Sequence, residues 1–80
     1  MTNKFITGKC FVCEWYSGMK IYVKAKIKIC PADVTAYVSF YDRQDEIKGC
    51  KVFLRTGTFF ILDMSYEEFD KLVSEYQEDN

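Results

Sequence analysis

The chain contains no histidine, and only one proline and four glycines among its 80 residues. Without histidine it lacks the side chain most often used for acid–base chemistry near neutral pH. A catalyst would have to work with carboxylates, cysteine or tyrosine. There is no glycine-rich phosphate loop, no nucleophile elbow and no metal-ligand spacing. The longest apolar runs are a few residues, far short of the ~20 needed to cross a bilayer. No linker, internal repeat or low-complexity segment interrupts the chain. The start, Met1-Thr2-Asn3-Lys4, leads into a strand-like stretch broken by Gly8 and Lys9. That is too short and polar for a signal peptide, so a cytoplasmic location is the default expectation. A chain this small also has little room for a deep pocket. These absences argue against an enzyme, a cofactor and a membrane partner.

Four cysteines are present, and two of them form the motif Cys10-Phe11-Val12-Cys13. Zinc sites of this type need two further close ligands, but Cys30 and Cys50 stand alone and no second such motif occurs. On a strand, Cys10 and Cys13 point to opposite faces and cannot share an ion. A redox pair of this spacing sits at a helix N-terminus, where the dipole lowers the thiol pKa, and no helix follows here. The expected state is therefore reduced cysteine, partly in the core, with no metal. Disulfides would require export, for which nothing in the chain argues.

What the chain has in quantity is apolar and aromatic character, 49% and 18% of residues. That is enough to fill a small core and to exclude disorder. The stretch MKIYVKAKIKIC, residues 19–30, alternates without a break. Met19, Ile21, Val23, Ala25, Ile27 and Ile29 share one side, and Lys20, Tyr22, Lys24, Lys26, Lys28 and Cys30 share the other. Upstream, KFITGKCFVCEWY ends at Ser17-Gly18, a hairpin signal. A two-residue loop there opposes Val12 to Val23, Cys10 to Ala25 and Ile6 to Ile29. It also opposes Lys9 to Lys26, which is unfavourable. Downstream, DVTAYVSFYD splits into Val34, Ala36, Val38, Phe40 and Thr35, Tyr37, Ser39, Tyr41. A loop at Cys30-Pro31-Ala32-Asp33 would pair this strand with residues 19–29, Lys26 meeting Tyr37 and Tyr22 meeting Tyr41. The charged turn Asp42-Arg43-Gln44-Asp45 precedes IKGCKVFLRTGTFFILDM, in which Gly57-Thr58 fits a type II′ loop.

The last element is a helix. Ser65-Tyr66-Glu67-Glu68 reads as a capping box, with Met64 and Phe69 as its staple. Phe69, Leu72, Val73 and Tyr76 form its apolar stripe, and Gln77-Glu78-Asp79-Asn80 is expected to fray. The expected architecture is a single α+β domain over residues 1–80. It comprises an antiparallel β-meander of about five strands with the C-terminal helix packed on one face.

Charge is unevenly spread. Residues 1–30 hold six lysines against one acid, Glu14, a balance of +5; residues 31–80 hold five basic and eleven acidic side chains, a balance of −6. Such polarity suits a charged partner. The first candidate surface is a basic, aromatic sheet face: Lys20, Tyr22, Lys24, Lys26 and Lys28 with Phe11, Trp15, Tyr37 and Tyr41, and Lys9 beside them. The second is the acidic helix, through Glu67, Asp70 and Glu75. Lysines also guard strand edges and aromatics favour strands whatever the function, so neither type alone specifies a site. The combination suits a non-enzymatic protein-binding module, an adaptor or inhibitor, since tyrosine and tryptophan anchor interfaces and lysines steer encounter. The alternative is a single-stranded nucleic-acid binder, with ammonium groups on phosphates and rings stacked on bases. The hairpin at residues 50–62, apolar on both sides, would supply a homodimer contact.

Overall fold

The computed structural model describes residues 5–78, apart from the side chains of 77 and 78. Residues 1–4 and 79–80 lie outside this description; of the four residues expected to fray, Gln77 and Glu78 continue the helix and the other two fall outside the description. The elements are β1 (Ile6–Tyr16), β2 (Met19–Ile29), β3 (Val34–Asp42), β4 (Ile47–Leu54), β5 (Phe59–Leu62) and α1 (Tyr66–Glu78), with a short 3-10 turn at Pro31–Asp33. They form one antiparallel five-stranded sheet in the order β2-β1-β5-β4-β3 and one C-terminal helix, an α+β fold.

The β1–β2 hairpin follows its alternation throughout. Ser17 and Gly18 both take positive φ, 52° and 77°, which is the two-residue type I′ turn that matches strand twist. That turn fixes Val12 against Val23, Cys10 against Ala25 and Ile6 against Ile29. It also fixes Lys9 directly against Lys26. At the β3–β4 turn, the Asp42 carboxylate accepts from the amides of Gln44 and Asp45 at 3.0 and 3.3 Å, tying the chain reversal locally. The β4–β5 loop is not the expected type II′ turn. The Gly57 amide donates to the Leu54 carbonyl and the Leu54 amide to the Thr58 carbonyl, while Gly57 sits at φ 93°. This is a three-residue loop with glycine in the left-handed position, one residue longer than the Gly57-Thr58 reading.

β2 does not form the expected ladder with β3. The turn at Pro31–Asp33 is instead fastened to the β4–β5 loop. There the Arg55 amide donates to the Asp33 carbonyl at 2.7 Å and its guanidinium to the Ala32 carbonyl at 3.0 Å. β1 pairs with β5 through Cys10–Leu62 and Phe11–Ile61. Taken cyclically the strands still run in sequence, so the meander curls until its last strand meets its first. Hydrogen bonding is broken between β2 and β3. Strong coiling of this kind follows from the right-handed twist of the strands.

The core lies between one sheet face and α1. Cys50, Val52, Leu62 and Phe69 are essentially inaccessible, with Ile6, Cys10, Ile29 and Val73 around them. The helix begins as its sequence dictates. The Glu68 amide donates to Ser65 Oγ at 3.0 Å, and the Ser65 amide donates back to Glu68 Oε1 at 3.2 Å. Phe69 and Val73 are buried and Leu72 and Tyr76 half-buried, so the apolar stripe faces the sheet. Gly49 lets β4 and β5 approach closely, since a Cβ there would overlap the Leu62 carbonyl. The 50–62 hairpin has two apolar sides because β4 and β5 are interior strands. One side, with Cys50, Val52 and Leu62, is already sealed beneath the chain's own helix. No helix among the described residues is long and apolar enough to cross a membrane.

Candidate binding face

A β-bulge decides which residues reach the candidate face. Val34 pairs with Leu54 but Ala36 pairs with Phe53, so Thr35 is an extra residue and the alternation of β3 shifts. Val34 packs towards the core, whereas Ala36, Val38 and Phe40 turn to the opposite side. Tyr37 and Tyr41, expected beside the lysines, therefore lie on the helix side. Tyr37 donates its hydroxyl to Asp70 Oδ1 at 2.6 Å and packs edge-on against Phe69, with ring centroids 5.0 Å apart. Tyr41 shares its strand side and is exposed. Neither belongs to the lysine face.

The rest of the predicted face is assembled. Strand alternation and pairing put Lys9, Phe11, Cys13 and Trp15 of β1 beside Lys20, Tyr22, Lys24, Lys26 and Lys28 of β2. They lie on the side of the sheet away from α1. Trp15 is 72% exposed at the hairpin end. Cys13 is exposed here while Cys10 is buried on the other side, so the two thiols do face apart. Burial pushes the Cys10 thiol up, and pushes Cys50 up to about 11, with Glu67 adding to the latter. Both are poor nucleophiles at neutral pH. Among the described residues, no group of three or more cysteine, aspartate or glutamate side chains converges as a metal site would require.

Four residues of this face were not assigned to it from the sequence, three of them within the hairpin at 50–62 read there as a dimer contact. Lys51 of β4 lies over the rings of Phe59, Phe53 and Phe40, at 4.3, 5.3 and 5.9 Å from their centroids. A lone lysine within an apolar strand was the available signal. Phe40 arrives only because of the bulge. The pattern repeats on β2: Lys24 sits 5.7 Å from the Phe11 ring, Lys20 5.3 Å from Tyr22 and Lys28 5.3 Å from Phe5. Each ammonium is thus held over an electron-rich ring face.

Charge compensation is partial. Lys24 pairs with Asp63 at 2.9 Å and Lys20 with Asp45 at 3.4 Å. Hydrogen bonding to Tyr22, then to Asp45, holds the Lys20 ammonium above its ordinary range. Lys9, Lys26, Lys28 and Lys51 have no carboxylate in ion-pair range among the described residues. They form the net positive part of the surface. A cleft of about 380 Å³ runs along the face, lined by Phe11, Tyr22, Phe40, Lys51 and Phe59 together with Cys13, Phe60 and Ile61. Tyr22 and Phe40 come from the two edge strands, so the cleft spans the curl of the sheet.

The acidic helix is a weaker candidate. Asp70 is engaged by Tyr37, leaving Glu67 and Glu75 exposed and without it as one continuous patch. No family model, curated protein or solved structure matches this chain. The functional reading therefore rests on the chemistry of the face.

Proposed function

We propose that this protein is a non-enzymatic binding module whose lysine–aromatic sheet face docks an acidic protein surface, as an adaptor or inhibitor does. The supporting observation is the row of Lys9, Lys26 and Lys28, without an ion-paired carboxylate among the described residues, on the sheet side that the helix leaves open. Lys9 and Lys26 face each other directly across β1 and β2. Such a pair opposes folding, and a bound carboxylate would turn it into an attraction. Trp15, 72% exposed at the hairpin end, supplies apolar anchor area of the kind interfaces use.

A single-stranded nucleic acid is the second reading, favoured by the aromatic cleft beside Lys51. The protein reading takes precedence because ammonium groups of the chain itself lie over Phe11, Tyr22 and Phe59, where bases would have to stack. The test compares a labelled oligoglutamate with an oligothymidylate of equal charge, at low and at physiological salt. Oligoglutamate should bind at low salt and lose about tenfold or more in affinity on Lys26→Glu. The same variant should be more stable by about 0.5 kcal/mol, because it replaces a like-charge pair by an opposite one. Markedly tighter thymidylate binding with quenching of Trp15 would move the function to nucleic acid. Binding of neither probe would overturn both readings.

A further inference from the structure

Among the described residues, the backbone of β2 is hydrogen-bonded on one side alone, to β1. Its type I′ turn makes Tyr16 and Met19 a mutually bonded pair, and bonded and non-bonded pairs alternate from there. Lys9 and Lys26 then form a non-bonded pair. The Lys9 carbonyl accordingly accepts from Asp63 of β5 at 2.8 Å, facing away from β2. By the same alternation the free N–H and C=O groups of β2 belong to Lys20, Tyr22, Lys24, Lys26 and Lys28. These groups point away from β1, along the outer edge of the sheet. Cα atoms of β2 and β3 stand more than 8 Å apart nearly throughout, against a strand spacing of about 4.8 Å. On the opposite side of the same strand Met19, Ile21 and Val23 remain 67%, 37% and 36% exposed. The edge thus carries unpaired main-chain groups along its length, ammonium groups without a carboxylate at Lys26 and Lys28 among the described residues, and exposed apolar side chains at Met19, Ile21 and Val23 on the other side.

We infer that the acidic partner enters as an extended segment of alternating acidic and apolar residues that adds to β2 as a sixth strand. Its acidic side chains stand beside the lysines, and its apolar ones cover Met19, Ile21 and Val23. This rests on the docking reading above and specifies the partner's conformation. Opposite each lysine residue the added strand is in the hydrogen-bonded register, with its side chain on the same sheet face. Asp45 already shows how a carboxylate meets this edge, since it lies against Lys20. A second copy is the poorer occupant. Antiparallel pairing of β2 with itself about Lys24 sets Lys24 against Lys24 and Lys20 against Lys28, and such edge lysines repel self-pairing.

The experiment uses a labelled peptide of alternating glutamate and valine, and a peptide of the same composition with the glutamates and valines in separate blocks. The alternating peptide should bind about tenfold tighter. At saturation it should slow amide exchange at Lys20, Tyr22, Lys24, Lys26 and Lys28 by about tenfold or more. Lys24→Pro removes one outward N–H and the charge, whereas Lys24→Gln removes the charge alone; proline should lose about tenfold more affinity than glutamine. Equal binding of the two peptides, or binding without amide protection, overturns strand addition. In that case oligoglutamate binding that still depends on Lys26 leaves the docking face standing. Dimerisation of the free protein in sedimentation would place a second copy on this edge and also overturn the proposal.

Discussion

Tyr37 joins the helix to the sheet through one hydroxyl and one ring. Its hydrogen bond to Asp70, reinforced by burial, holds the phenol proton so firmly that its pKa is pushed up from 10.0 to about 12. The sign follows from linkage. The folded chain keeps this proton after the unfolded chain has lost it. The contribution is therefore whole below pH 10 and disappears as the pH rises to about 12. Tyr37→Phe should cost about 1.5 kcal/mol at neutral pH in urea unfolding, and should flatten the fall of stability between pH 10 and 12. An unchanged alkaline limb in the variant would contradict this role. The position of Tyr37 also marks where reading the sequence stops. Alternation sorts β3 into two sides, but both carry aromatic rings, and nothing local says which side receives the helix. The bulge at Thr35 reverses the sides after Val34 and is not written in any turn residue.

At the level of elements, the β1–β2 hairpin and α1 were legible because each is specified by local chemistry. Ser17-Gly18 can both take positive φ, both flanking strands alternate, and a single register satisfies them. Ser65 and Glu68 cap one another, so the helix start is set within four residues. Ser65→Ala should lower stability by about 1 kcal/mol, whereas Ser65→Asp should retain most of it; calorimetric melting of the two variants checks the cap. What local chemistry could not supply was the partner of β3. Ile29 and Val34 are close in sequence, and pairing consecutive strands was the economical expectation. The anchoring of Ala32 and Asp33 by Arg55 diverts the chain, and β1 meets β5 across a separation no short-range pattern records.

For the whole molecule, the decisive property is the division of labour between the two sheet faces. One face is closed by the helix over Cys50, Val52 and Leu62. The other holds Lys9, Lys20, Lys24, Lys26, Lys28 and Lys51 among aromatic rings and has no covering element among the described residues. The lysines and their strand were legible in the sequence from alternation. Lys51, Phe40, Phe53 and Phe59 were not, because their places depend on the curl that brings β4 and β5 beside β1. This open face is where we propose that a carboxylate-rich partner sits. Backbone amide shifts followed by NMR during titration with oligoglutamate test it most directly. The perturbed amides should cluster on β1 and β2 around Lys9, Lys26 and Lys28, while those of α1 stay still. Perturbations centred on α1, or scattered evenly over both faces, would contradict it.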